Sequence, residues 1–124
     1  MNLCFQYTSV TPSYDTQQVY FARLHKTINW EDMLLESLYY NLNFPPYYGF
    51  NWDAFDECIN DLSWIDEKKV VLFHEQLPNI KLESLQIYLE ILNRAVIHWN
   101  NDTEHDFEAI FMETDRSRIL EVMK

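Results

Sequence analysis

Asp53, Glu57 and Asp61 recur at four-residue intervals in the segment Trp52-Asp53-Ala54-Phe55-Asp56-Glu57-Cys58-Ile59-Asn60-Asp61-Leu62-Ser63. On a helix that spacing stacks the three carboxylates on one face, opposite an apolar stripe of Trp52, Phe55, Ile59 and Leu62. Paired carboxylates serve general acid–base catalysis when a pocket shifts one pKa, and no such pocket is legible around Asp53 and Glu57. The chemistry on offer is charge recognition. Like charges at this spacing cost a helix roughly 0.2–0.5 kcal/mol per pair, and the macrodipole offsets only Asp53, beside the N-terminus. A cationic partner would relieve the repulsion, although on charge alone a solvated acidic face is the commoner cause of such a pattern.

The acidity extends upstream. No Lys or Arg lies between Lys26 and Lys68, whereas Glu31, Asp32, Glu36, Asp53, Asp56, Glu57, Asp61, Asp66 and Glu67 all do. The chain as a whole carries a formal charge of −11, from 20 Asp and Glu against nine Lys and Arg. Phosphate contacts need a basic footprint, so direct nucleic-acid binding is excluded and a basic protein is the expected partner. Just before the acidic helix stands Pro45-Pro46-Tyr47-Tyr48-Gly49-Phe50-Asn51-Trp52, rich in aromatic side chains around the only glycine. Gly49 is expected in a conformation barred to other residues, turning the backbone into the helix. Aromatic anchors beside desolvatable charge are the material of interface hot spots, and at least one of Tyr47 and Tyr48 is expected to pack on the core.

Other reactive side chains are scattered. His25, His74, His98 and His105 form no HExxH, and with Cys4 and Cys58 they offer no zinc spacing. No catalytic residue, metal ligand or cofactor is assigned. Two distant cysteines in a chain of 124 residues point to reduced thiols and a cytoplasmic location. Met1 to Val10 lacks Lys and Arg and is interrupted by Gln6, Thr8 and Ser9, unlike a signal peptide. No run approaches the roughly 20 apolar residues of a membrane span, so a soluble protein without membrane contact is expected.

The elements that must position these residues follow from periodicity. Leu3, Phe5 and Tyr7 alternate as in a half-buried strand, and Val19 to Leu24 reads as a second. A helix starts at Trp30 with Asn29 as N-cap, turns Trp30, Met33, Leu34, Leu38 and Leu42 inward, and ends before Pro45-Pro46. Asn51 caps the acidic helix, Trp52 to about Ser63. Val70 to Phe73 is a strand buried on both faces, Leu82 to Trp99 a long buried helix, Phe107 to Met112 the last strand, and a short helix begins near Asp115. Helices interleaved with strands define an α/β fold with a parallel sheet and right-handed crossovers. The length, with 48% hydrophobic residues, fits one domain over residues 1–124.

The string Leu42-Asn43-Phe44-Pro45-Pro46-Tyr47-Tyr48-Gly49-Phe50-Asn51-Trp52-Asp53-Ala54-Phe55 resembles the signature segment of the barstar family of ribonuclease inhibitors. Weaker similarity runs from about Val19 to Met112, leaving residues 1–15 and 113–124 as extensions of that core, the first supplying an added strand. The resemblance implies a three-layer fold in which helices flank a three-stranded parallel sheet. It also implies that the acidic helix and preceding loop block the active site of a basic ribonuclease or toxin nuclease domain, as an immunity protein would, in a 1:1 complex with a monomer. Tyr47, Gly49, Asn51, Trp52 and Asp53 match positions where the family contacts its nuclease, and Glu57 replaces the central aspartate that mimics a substrate phosphate. Tyr48, Asp56, Asn60 and Asp61 complete the expected docking residues. The chain departs from the pattern in the longer Glu57, in Asp56 where tryptophan is common, and near Arg94, where the family has an acid and Glu90 is the nearest one here. A regulatory module of the same fold, acting on a basic protein other than a nuclease, is the alternative.

Overall fold

The apolar run Val70-Val71-Leu72-Phe73 is a strand with both faces buried in the computed structural model, which describes residues 2–124. The elements are β1 (Gln6–Thr8), β2 (Val19–Leu24), α1 (Glu31–Asn41), α2 (Trp52–Ile59), β3 (Lys69–His74), α3 (Leu82–Asn100), β4 (Asp106–Met112), a 3-10 turn at Glu113–Asp115 and α4 (Arg116–Val122). The strands form one parallel sheet in the order β1-β4-β3-β2. The sheet thus has four strands, the added N-terminal one included, because Gln6–Thr8 pairs with Ile110–Met112 at the outer edge of β4.

Side-chain alternation divides the sheet into two unequal faces. Ala22, Leu24, Val70, Leu72, Phe107, Ala109 and Phe111 face a core built with residues from all four helices, among them Leu34, Phe55, Leu89 and Ile119. Val71, Phe73 and Ile110 face the other way, where they meet Tyr14, Val19, Phe21 and Met112. The expected second helical flank is therefore absent among the described residues, and the segment joining β1 to β2 covers that face through Tyr14. The chain crosses the sheet in one direction from β2 through β3 to β4, and right-handed connections in one direction keep their helices on one side.

Several local expectations are corrected. Helix α1 begins at Glu31; Trp30 is its extended N-cap residue and is 58% exposed rather than inward. Asn29 donates its amide to the Thr27 carbonyl, and no side chain caps α1. Helix α2 stops at Ile59, four residues early, as the chain reverses through Leu62 at φ 47°. Both Asp61 and Leu62 then direct their N–H groups to the Cys58 carbonyl, which closes the helix. Strand β1 starts at Gln6 instead of Leu3, since backbone pairing with β4 is confined to those three residues.

Candidate protein-docking face

Asn51 caps α2 as its side-chain oxygen accepts the Ala54 N–H at 2.8 Å, satisfying one of the unpaired donors of the first turn. Gly49 stands beside this cap for a reason other than the expected one. Its φ is not positive; a Cβ there would lie 3.0 Å from Asn51 Nδ2, so a side chain would press on the capping amide. The left-handed conformation falls on Phe50, at φ 54°, and on Asn43, at φ 55°. Asn43 follows the C-cap of α1, and the Phe44 N–H reaches back to the Tyr39 carbonyl at 3.0 Å, closing that helix end.

The two adjacent tyrosines have opposite fates. Tyr48 is buried, donates its hydroxyl to the Leu35 carbonyl at 3.2 Å and packs among Tyr39, Phe44 and Phe50. Of the expected docking residues it is the one withdrawn from the surface, and it fastens the loop to α1. Tyr47 is 63% exposed. Its phenol pKa is raised by desolvation and then by Cys58, Asp61 and Glu57.

Trp52 is half-buried, packing against Phe55 and Tyr88. Its indole N–H is already used: it donates to Glu31 Oε1 at 2.7 Å, and the Ser84 hydroxyl donates to the same oxygen at 2.7 Å. One carboxylate thus ties together the first turns of α1, α2 and α3. Glu31 was not among the expected docking residues, and no short-range pattern links positions so far apart in the chain.

The solvent side of α2 carries Asp53 and Glu57, both exposed, with Asp56 and Asn60 half-buried beside them. Asn60 donates to the Asp56 carbonyl and carboxylate at 2.7 and 3.0 Å. Arg94 of α3 approaches Asp56 Oδ2 at 3.8 Å. Asp61 is exposed but lies beyond the C-cap, so the third carboxylate stands outside the helical stripe. It borders a concavity of about 610 Å³ whose lining includes Asn60, Asp66, His98, Asp102 and Glu104. Glu90 on α3 is half-buried.

Three of the reactive groups elsewhere, Cys58, His74 and His105, are buried. Cys58 is buried, its thiol pushed up to about 11 by burial and then by Glu57 and Asp61, so it stays protonated at neutral pH. Cys4 is a free, exposed thiol. His74 is fully buried, stacked on Phe111 at 3.9 Å, with its ring nitrogens 2.9 Å from the Ile110 carbonyl and 2.6 Å from the Tyr88 hydroxyl. His105 braces the chain after α2 through the carbonyls of Leu62 and Glu67. Among the described residues, no group of three or more His, Cys, Asp or Glu is placed to hold a metal ion, and no helix is long and apolar enough to cross a membrane.

These features define a small α/β protein whose capped helix presents carboxylates to solvent beside an exposed tyrosine. A family model described as Barstar (barnase inhibitor) matches residues 18–112, most of the chain, and the protein belongs to the barstar family. That membership implies a function of the ribonuclease-inhibitor type. No curated protein matches the sequence.

Proposed function

We propose that this protein is a cytoplasmic immunity protein that neutralises a ribonuclease toxin, as a monomer in a 1:1 complex, by covering the toxin's basic active site. The carrying observation is the capped α2 with Asp53 and Glu57 exposed on one side, within the span matched by the family. Tyr47, Asn51, Asp56, Asn60 and Asp61 surround these acids in the proposed interface. Tyr48 and Trp52 hold the loop and helix in place from beneath, and Gly49 leaves room for the Asn51 cap. A ribonuclease must gather phosphates in a cationic cleft, so an acidic surface competes with RNA for the same charges. Complementary charge speeds encounter, and occlusion requires no chemistry by the inhibitor.

The experiment is a pull-down from the source organism's lysate and secreted fraction with the wild-type chain and an Asp53→Lys/Glu57→Lys form, followed by RNA-cleavage assays on the proteins that separate them. Retention and silencing of a basic ribonuclease by the wild type alone is the expected result. Equal retention of one non-nuclease protein by both forms would reject the inhibitor reading and the interface together.

A further inference from the structure

Helices α1, α2 and α3 contain a single Lys or Arg among them, Arg94. It sits at the edge of the α2 carboxylate stripe, with its side chain 58% exposed. Its nearest ion-pair contact is loose: one guanidinium nitrogen lies 3.8 Å from Asp56 Oδ2, beyond hydrogen-bonding distance. Among the described residues the guanidinium forms no hydrogen bond, whereas Asp56 already accepts from Asn60. A planar group with five N–H donors is thus left facing outward. On its own helix it is flanked by the exposed Ile87 and Ile97, at spacings that put all three on one side of α3.

A half-exposed ion pair of this kind contributes little to stability, so neutralising Asp56 is a weak reason for the arginine. Its effect on a basic partner is larger. A cleft that is cationic throughout would meet Arg94 as a like charge, while a partner with a carboxylate at that point would gain a forked, charge-assisted pair. We propose that Arg94 is a specificity-determining residue of the docking face, admitting a basic partner that carries an acid opposite α3 and disfavouring a uniformly basic cleft. This rests on the reading of α2 as the docking helix, and it adds the repulsive element through which related inhibitors are told apart.

Barnase, the nuclease named in the family's description, serves as the probe. Its dissociation constant is measured for the wild-type chain, Arg94→Gln and Arg94→Glu, and for the same forms carrying Asp56→Asn, after circular dichroism has shown each to be folded. The expected result is binding tightened by about tenfold or more in Arg94→Glu, with Arg94→Gln between, and a gain that persists with Asp56→Asn. An unchanged or weakened affinity would overturn the proposal. So would a gain abolished by Asp56→Asn, which would assign Arg94 to holding Asp56. Absence of binding by every form would overturn it too, since removing the cation would then open nothing. The docking reading itself is judged separately, by the Asp53→Lys/Glu57→Lys pull-down.

Discussion

Glu31 Oε1 receives the Trp52 indole N–H and the Ser84 hydroxyl, both at 2.7 Å, so the entry of the acidic helix is pinned to its two neighbours by one oxygen. Removing that acceptor leaves a half-buried N–H unpaired. Glu31→Ala is expected to lower stability by about 1–3 kcal/mol in urea denaturation, and Glu31→Gln, which keeps an acceptor oxygen, by less. An indole N–H signal of Trp52 that shifts in Glu31→Ala but is largely retained in Glu31→Gln would check the contact directly by NMR.

Glu57 lies exposed in the last turn of α2, four residues from Asp53. Glu57→Lys removes a like-charge pair and places a cation near the helix C-terminus, so stability should hold or rise by roughly 0.5 kcal/mol. Inhibition of the partner should nonetheless weaken by about 2–5 kcal/mol, because a charge is reversed at a desolvated contact. Stopped-flow association should also slow as ionic strength rises. Unchanged inhibition would move the interface off α2.

His74 gives the fold an acid limit. Burial lowers its imidazole pKa from 6.5 to about 4, with the Ile110 carbonyl opposing the shift. The neutral ring donates to that carbonyl through Nδ1 and accepts the Tyr88 hydroxyl at Nε2, the tautomer these partners require. The unfolded chain takes up a proton near pH 6.5 and the folded one only near pH 4. The contribution is therefore whole above pH 6.5 and is lost as pH falls toward 4, on the order of 3 kcal/mol in total. His74→Gln should start less stable at pH 7 and show a flatter decline in urea midpoint between pH 6.5 and 4.

Asn43 holds the left-handed position after α1 with its side chain exposed. Asn43→Gly is expected to stabilise by up to about 1 kcal/mol, since glycine meets no Cβ penalty there. Asn43→Val should destabilise by about 1–2 kcal/mol. At Gly49 the order differs: Gly49→Ala should cost stability through pressure on Asn51, and the loss should be relieved in an Asn51→Ala background, where the crowded amide is gone.

Periodicity identified every major strand and helix from Val19 onward, because each buries a stripe whose spacing is written in consecutive residues. The signature string likewise marked the loop and acidic helix, and Asn51 declared its capping role by type and position. The ends of elements were less legible. Nothing local to Cys58-Ile59-Asn60 announces that the chain will reverse there, since the reversal is supported by His105, 43 residues away, on the Leu62 carbonyl. The constraint on Gly49 is likewise not written in its neighbours, as the crowding comes from a folded side chain rather than its own torsion.

Residue types and short-range spacing determined by themselves the α/β class, the buried stripes and the concentration of negative charge before β3. Only tertiary structure decided that the N-terminal strand pairs with β4 and that the segment after it covers the second face through Tyr14. It also decided that Tyr48 turns in while Tyr47 turns out, that Trp52 spends its N–H on Glu31, and that Arg94 meets Asp56. The physical reason is range. Helical and strand periodicities act over a few residues, whereas these relationships arise between groups that chain folding brings together and depend on how three helices seat on one sheet.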